Sequence, residues 1–208
     1  MDVLKAVKKR LDEDDIKHVV VASVSGETAL RIAEALKNLK VRVVCVSGFP
    51  GWLSIKKEYP FVEEKFRKKL ERLGVAIVDK TPSSMSDTID YGLARYGYVP
   101  ASWVMAETLE TVGGYGLKTA VEAILMATDS GITPAFREAI SVAGTDKGAD
   151  TAIVAKSTFS SSVFSSDANR RFQILEIIAM PKAKKWYKTI GVGGHTFKEI
   201  ERGETLDE

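Results

Sequence analysis

The chain has 208 residues, of which 45% are hydrophobic and 28% are charged, and its 30 basic and 28 acidic residues leave a net charge of +2. These values are typical of a globular protein with a substantial core, and the charge balance argues against a dedicated nucleic-acid-binding protein. No apolar run approaches 18 residues, so we expect no transmembrane helix, and the start of the chain lacks the apolar segment of a signal peptide.

The only cysteine, Cys45, predicts a cytoplasmic protein, because a single cysteine forms no intrachain disulfide and such bonds are rare in the reducing cytosol. Cys45 lies inside the apolar run 41–46, so we expect a buried and unreactive thiol. We expect neither a nucleic acid nor a membrane as partner, and the composition leaves a homo-oligomer open.

The first part of the chain alternates between strand and helix patterns. We predict, in chain order, a helix over 4–11, a strand over 18–23, a helix over 26–39, a strand over 41–46, a helix over 62–73 and a strand over 75–78. The first two strands are apolar without alternation, as expected of parallel strands that are covered on both faces. This order predicts an open parallel sheet with right-handed crossovers.

Residues 23–28 read Ser-Val-Ser-Gly-Glu-Thr and join the first strand to the next helix. A strand, a tight turn and a helix N-terminus present free backbone N–H groups and a positive dipole end, which favours an anion. Two residues favour a purely structural interpretation instead. Ser25 can act as an N-cap, worth ~1 kcal/mol, and the Glu27 carboxylate would repel a phosphate dianion.

Small polar residues follow all three predicted strands. The first strand ends at Ser23, the second leads into Ser47-Gly48-Phe49, and the loop 81–87 after the third contains Ser83. Because ligands of open α/β sheets bind at the carboxyl ends of the strands, we expect these serines to share one edge. Loops of this composition are common, so the pattern predicts the position of a site and not its existence.

The second part of the chain predicts helices followed by antiparallel strands. Residues 101–111 form a helix that ends at the glycine-rich stretch 112–116, and the apolar helix over 117–130 is expected to be central and buried. We further predict a short helix that starts at Thr133-Pro134, and strands over 139–143, 151–155 and 172–180. The connection 144–150 is too short for a parallel crossover, so the fifth strand is antiparallel to the fourth.

Two glycine-containing segments are candidate anion sites. Gly116 lies close to Lys118, but Leu117 separates them, whereas in a P-loop the glycine directly precedes the lysine. No strand leads into this stretch, so it can be a simple helix breaker. The connection 144–150 contains two glycines and a lysine, which favours either an anion-binding nest or a plain hairpin turn. His195 lies beside glycines, but the chain has no Gly-x-Ser-x-Gly elbow, which disfavours a Ser-His-Asp hydrolase.

Two segments resemble parts of one family. Residues 23–29, Ser-Val-Ser-Gly-Glu-Thr-Ala, resemble the effector-phosphate loop of the pyruvate kinase C-terminal domain, and residues 142–151 resemble the last loop of that domain. From Lys17 to Pro181 the chain is similar to small stand-alone proteins described as pyruvate kinase α/β-domain-like and found mainly in archaea. Further matching strings lie at 116–118, Glu122, 126–131 and 148–152.

The resemblance implies a three-layer α/β/α fold with a mixed five-stranded sheet of order 3-2-1-4-5, in which strand five is antiparallel. This domain would span residues 1–182, with 183–208 as a C-terminal appendage. Pyruvate kinase activity is not implied, because its catalytic residues lie on a barrel that 208 residues do not contain. The chain departs from the group at its N-terminus, which lacks a preceding strand, and before Gly48-Phe49, where the usual polar residues are missing.

The resemblance also implies binding of flavin mononucleotide (FMN) or a similar phosphorylated small molecule, as a binding protein or as a flavoenzyme of unknown reaction. The alternatives are a regulatory module that senses a phosphorylated metabolite without catalysis, and an assembly protein whose loops are structural. The sequence names no general acid or base, with Asp146, Asp150 and His195 left open as candidates, and we predict no metal site. The candidate ligand-binding residues are Ser23, Ser25, Gly26 and Thr28 at the phosphate, Gly144, Thr145 and Gly148 closing over it, Lys118 adding charge, Phe49 beside the ring, and Ser47, Gly48 and Gly116 nearby.

Overall fold

The computed structural model describes residues 2–13, 15–52, 57–86, 89, 96–184, 186–189 and 197–200. Its main elements are α1 (Val3–Leu11), β1 (His18–Ala22), α2 (Glu27–Leu36), β2 (Arg42–Val46), α3 (Glu64–Arg72), β3 (Ala76–Val78), α4 (Ala101–Gly113), α5 (Tyr115–Asp129), β4 (Glu138–Ala143), β5 (Thr151–Lys156), a 3-10 turn (Ser160–Ser162), β6 (Gln173–Ala179), β7 (Trp186–Thr189) and β8 (Phe197–Ile200). None of the described helices is both long and apolar enough to cross a membrane.

A mixed six-stranded sheet has the order β3-β2-β1-β4-β5-β6, and β7 pairs with β8 in a separate sheet. β1 is parallel to β2 and β4, β2 is parallel to β3, and β5 is antiparallel to β4. The α/β class, the order of the first five strands and the antiparallel fifth strand are confirmed. The sheet has six strands rather than five, because β6 returns antiparallel along the outer edge of β5.

Helices pack on both faces of the sheet, which follows from the side-chain alternation within each apolar strand. In β1, Val19 and Val21 belong to a core formed with α1, α2 and α3, whereas Val20 belongs to a core formed with α4 and α5. β1 is therefore covered on both sides, as its unbroken apolar sequence predicted. Cys45 is fully buried in the first core, and burial raises the pKa of its thiol to about 12.

The predicted short helix at Thr133-Pro134 is wrong. The chain forms a turn there, and Phe136 adopts a φ of 62°, in the left-handed region that a right-handed helix cannot contain. The Phe136 N–H donates to the Ser157 carbonyl over 2.7 Å, which joins the start of β4 to the end of β5. Pairing with the neighbouring strand therefore decides this segment against its local helix signal.

Candidate functional site at the carboxyl edge of the sheet

The order of the strands reverses between β1 and β4. The chain leaves β1 through α2 on one face of the sheet and reaches β4 through α5 on the other face. Val21 pairs with Val142, so the loops that follow Ala22 and Ala143 start about 4.8 Å apart, the usual spacing of paired strands. A reversal of this kind opens a crevice at the carboxyl ends of the two strands, where open α/β sheets bind ligands.

The turn after β1 ends at Gly26, which is the N-cap residue of α2 and has a φ of 89°. The structural interpretation of Ser25 as the N-cap is therefore wrong, although its hydroxyl accepts a long hydrogen bond of 3.4 Å from the Glu27 N–H. Gly26 has no side-chain oxygen, so it caps none of the N–H groups in the first turn of α2, including that of Thr28. Glu27 is exposed, so its carboxylate is hydrated.

Close packing holds the Gly26 turn in place. A Cβ atom at Gly26 would lie 2.9 Å from Val62 and 3.2 Å from Phe66, so the position is suited to glycine by space as well as by φ. The Glu63 N–H donates to the Ser25 carbonyl over 3.0 Å and fixes the turn to the start of α3. Packing and this hydrogen bond therefore fix the orientation of the first turn of α2.

Ser23 and Ser47 are both buried at this edge. The Ser23 N–H donates to the Val46 carbonyl over 2.9 Å, which extends the pairing of β1 with β2 by one residue. The Ser47 hydroxyl donates to the Val24 carbonyl over 2.8 Å and ties the loop after β2 to the turn after β1. A hydroxyl has one proton, so Ser47 must release this bond before it can donate to a ligand.

Gly48 and Phe49 lie at the base of the loop after β2. A side chain at Gly48 would overlap the rings of Trp52 and Phe61, so this backbone passes directly beside aromatic side chains. Phe49 is only 7% exposed and packs in the core that contains α4 and α5. Phe49 is therefore a core side chain rather than an exposed ring.

The loop from Gly144 to Asp150 follows β4 at the same edge of the sheet. A Cβ at Gly144 would lie 2.5 Å from the Gly148 carbonyl oxygen, so the two ends of the loop are in close contact. Gly148 has a φ of 82° with open space around it. The Thr145 N–H, a predicted phosphate donor, already donates to Asp150 Oδ2 over 2.9 Å. The nest therefore holds a carboxylate at one of its donors.

The start of α5 lies against the same loop. A side chain at Gly116 would collide with the Thr151 hydroxyl and the Asp150 carboxylate, and those two groups share a hydrogen bond of 2.6 Å. Gly116 thus allows the N-terminal end of α5 to approach the β4–β5 hairpin. The N-termini of α2 and α5 therefore both lie at the carboxyl edge of the parallel strands.

Lys118 lies in the first turn of α5 and forms a buried polar cluster rather than an open cation. Its ammonium is 2.7 Å from Glu122 Oε2 and 2.8 Å from Ser86 Oγ. Ser86 donates to Glu122 Oε1 over 2.9 Å, and the Ser83 hydroxyl also contacts that oxygen. The Lys118 and Glu122 side chains are 8% and 13% exposed. We call these four residues the Lys118 cluster.

The charges within the Lys118 cluster stabilise each other. Burial alone would raise the pKa of Glu122, but the ammonium and hydrogen bonds from Lys118, Ser83 and Ser86 hold it below its ordinary value. Burial alone would lower the pKa of Lys118, and the Glu122 carboxylate outweighs this effect and raises it. Both groups are therefore charged at neutral pH.

A separate hollow of about 290 Å³ lies on the outer side of the hairpin. The described residues that line it come from the loop between β4 and β5 and from the segment after β6, and the turn after β1 is not among them: Thr145, Asp146, Lys147, Asp150, Pro181 and Ala183. The candidate His195 lies outside the described residues.

A comparison with models of known protein families finds no match to this chain.

Two residues of the edge were not among the predicted ligand-binding residues. Glu122 follows Lys118 by four positions, the spacing at which helical side chains form ion pairs, and this signal identifies it as the partner of Lys118. Asp150 directly precedes β5 and caps the loop before it.

Proposed function

We propose that the crevice between β1 and β4 binds the phosphate group of a phosphorylated small molecule, with FMN as the first candidate. The observation that carries this proposal is the position of the Gly26 turn. It opens α2 directly beside the reversal of strand order, and it leaves first-turn N–H groups directed to the carboxyl edge. A helix N-terminus of this kind accepts anions, phosphate among them.

The neighbouring hairpin supports the proposal from the second side. Residues 23–29 and 142–151 are the two segments that resemble effector-binding loops of the pyruvate kinase C-terminal domain, and they follow adjacent strands although more than 100 residues separate them. FMN is the first candidate because the chain resembles the stand-alone pyruvate kinase α/β-domain-like proteins from Lys17 to Pro181, and that resemblance implies this ligand. In the proposed complex, N–H groups of α2 hold the phosphate, and the loop around Gly148 closes over it.

Lys118 has an indirect role in this proposal. Because its ammonium is paired with Glu122 inside the protein, the field of one largely cancels that of the other at the crevice. Neutral N–H donors and the α2 dipole therefore supply the attraction for the phosphate. In the proposed complex the ligand presents its phosphate end to these donors.

The primary experiment compares FMN with riboflavin, which has the same ring system and no phosphate. We expect protein purified without added cofactor to absorb in the visible range, or to quench FMN fluorescence on titration. Riboflavin should bind at least tenfold more weakly. A colourless protein that leaves FMN fluorescence unchanged would contradict FMN as the ligand.

The second experiment introduces a charge beside the proposed phosphate. Ser25→Asp places a carboxylate at the turn, and Ser25→Asn is the matched neutral control of nearly the same size. We expect the aspartate variant to weaken FMN binding more than tenfold and the asparagine variant to weaken it less than threefold, since a carboxylate repels a dianion. Equal affinities for the two variants would place the phosphate elsewhere.

A regulatory module without catalysis is the second candidate. In this candidate the Lys118 cluster is structural, because its ammonium and carboxylate are paired with each other and hold α5 to the loop after β3. A sensor would be stabilised by sugar phosphates or nucleotides rather than by FMN. At a hundredfold excess over Kd the gain is ~2.7 kcal/mol, which a melting-temperature screen detects.

A further inference from the structure

Three aromatic side chains lie together beside the backbone of Gly48, where the chain has just left β2. A Cβ atom at Gly48 would overlap the Trp52 ring and would lie 2.7 Å from the Phe61 ring. The Trp52 and Phe61 rings meet edge to face, with centroids 6.1 Å apart and planes at 84°. The Tyr59 and Phe61 rings meet in the same way, at 5.9 Å and 87°. We call Trp52, Phe61 and Tyr59 the aromatic row.

The middle member of the aromatic row is buried, whereas its two outer members reach solvent. Phe61 is only 5% exposed, and Trp52 and Tyr59 are both partly exposed. Trp52 also packs against the second core, so the protein holds its ring from one side. Aromatic side chains that are held in this way are common in the lining of small-molecule sites.

The aromatic row is directly connected to the Gly26 turn. Val62 packs on Gly26, and Phe61 is the preceding residue, one Cα spacing of ~3.8 Å along the chain. On the other side of Val62, the Glu63 N–H donates to the Ser25 carbonyl over 3.0 Å. The short segment 61–63 therefore contributes both to the aromatic row and to the packing of the proposed phosphate site.

A second link joins the aromatic row to the same turn through the loop after β2. Ser47 directly precedes Gly48, and its hydroxyl donates to the Val24 carbonyl over 2.8 Å. The row and the first turn of α2 are therefore neighbours at the carboxyl edge. Phe49, the residue that the sequence placed beside a ligand ring, is a core side chain. The aromatic row supplies the partly exposed rings that Phe49 does not.

We propose that the aromatic row binds a planar ring of the ligand whose phosphate the Gly26 turn holds, with Trp52 and Tyr59 as the contacting side chains. This inference rests on the proposed phosphate site and narrows its ligand to one class. The class is that of phosphate esters in which a short sugar or polyol chain carries an aromatic ring. FMN and nucleoside monophosphates belong to it, and sugar phosphates do not. Stacking on an aromatic side chain tolerates different planar rings, so the row selects the class rather than one member.

The first test compares ligands with and without the ring on the wild-type protein by isothermal titration calorimetry. Ribitol 5-phosphate is FMN without its ring system, and ribose 5-phosphate is AMP without its base. We expect FMN or AMP to bind at least tenfold more tightly than its ringless counterpart, because stacking a base on an aromatic side chain strengthens binding by roughly fivefold to a hundredfold.

Two outcomes of this comparison contradict the inference, and they differ in what they say of the phosphate site. If both ringless compounds bind as tightly as FMN and AMP, the phosphate site stands and the aromatic row contacts no ring. If none of the four compounds binds, the proposed phosphate site fails and the inference fails with it.

The second test changes the two outer rings one at a time and uses FMN or AMP, whichever binds the wild type more tightly. Trp52→Leu and Tyr59→Leu remove an aromatic ring, and Trp52→Phe and Tyr59→Phe are the matched controls that keep one. We expect each leucine variant to weaken binding about tenfold and each phenylalanine variant to weaken it less than threefold, because only an aromatic side chain stacks on the ligand.

The ringless counterpart of that ligand separates ring contact from support of the turn. Its affinity should be the same in the wild type and in all four variants, and circular dichroism should show that each variant is folded. Leucine variants that bind FMN or AMP as tightly as the wild type would overturn the inference. Leucine variants that lose the ringless counterpart to the same extent would assign the aromatic row to holding the Gly26 turn, and a variant that does not fold would assign it to the stability of the protein.

Discussion

The Gly26 turn and the Lys118 cluster lie at the same edge of the sheet, but they use their polar groups in opposite ways. The turn contains no cation, yet it presents N–H groups that the helix itself cannot satisfy. The cluster contains a full positive charge, yet its ammonium donates to Glu122 and Ser86 within the protein. The comparison shows that the lysine at this edge has its donors satisfied within the protein, whereas the N-cap glycine of α2 caps none of the helix N–H groups.

The two regions also differ in what maintains their geometry. Steric packing around Gly26 fixes the turn, with Val62 and Phe66 in close approach. Paired charges fix the Lys118 cluster, which joins α5 to the loop after β3. Removal of a charge should therefore affect the cluster most, and addition of volume should affect the turn most.

The largest effect is expected from Glu122→Leu. This change leaves the Lys118 ammonium buried without its carboxylate and should lower the free energy of unfolding by about 3–5 kcal/mol. Urea denaturation measures the loss. The matched control is Lys118→Met/Glu122→Leu, which removes both charges and should lose less stability than the single variant. A single variant within about 1 kcal/mol of the wild type would show that the pair is not a buried ion pair.

The second effect is expected from Gly26→Ala, with a loss of about 2–3 kcal/mol. A left-handed φ is unfavourable for alanine by ~1–2 kcal/mol, and crowding against Val62 adds to this. Gly74→Ala is the control, because Gly74 has a φ of 71° and open space, so it tests strain without crowding. If both variants lose the same stability, close packing does not hold the turn.

The third effect is a dependence of stability on pH that belongs to the Lys118 cluster. The pKa of Glu122 in the folded protein is below its ordinary value of 4.5. Its contribution to the free energy of unfolding is therefore complete above pH 4.5 and is lost as the pH falls toward the folded pKa. The pKa of Lys118 in the folded protein is above its ordinary value of 10.5. Its contribution to the free energy of unfolding is therefore present below pH 10.5 and is lost as the pH rises through the folded pKa. The loss of stability at acid pH should be smaller than the loss caused by Glu122→Leu, because a protonated Glu122 side chain can still form hydrogen bonds.

Urea denaturation between pH 3 and pH 6 measures this dependence. The variant Lys118→Met/Glu122→Leu should show a flatter profile than the wild type, because it lacks the group that takes up the proton. Identical profiles for the two proteins would assign the acid sensitivity to other carboxylates.

The smallest effect is expected from Gly148→Ala. The φ of 82° is unfavourable for alanine, but nothing lies within 4 Å of the added methyl group, so the loss should be about 1 kcal/mol. Thermal unfolding measures it as a fall of roughly 2–4 °C in Tm. A fall several times larger would show that the β4–β5 loop is packed as tightly as the Gly26 turn.

Local patterns in the sequence predicted most of the sheet. Unbroken apolar runs gave β1 and β2 as covered parallel strands, and the short connection 144–150 gave an antiparallel β5. These features depend on burial and on chain length, which are readable from neighbouring residues. The pairing of β6 with β5 was not readable, because the segment 172–180 has the same strand pattern whether or not it joins the sheet.

For the candidate site, the sequence identified the segments but not how their donors are used. Ser25 matched an N-cap pattern, and only the packing of α3 against Gly26 decided that glycine occupies that position. Lys118 appeared available for an anion, and Glu122 became its partner through the helical fold of α5. Phe49 appeared free beside a ligand, and the second core buries it.

The sequence by itself determined the alternation of strands and helices, the parallel arrangement of the first strands and the segments that follow their carboxyl ends, because each of these follows from apolar periodicity and the length of a connection. The tertiary structure alone decided which donors at that edge are already satisfied and which aromatic residues near them stay partly exposed. The physical reason is that hydrogen-bond satisfaction and exposure depend on what packs against a residue from distant parts of the chain, and no local pattern specifies that neighbour.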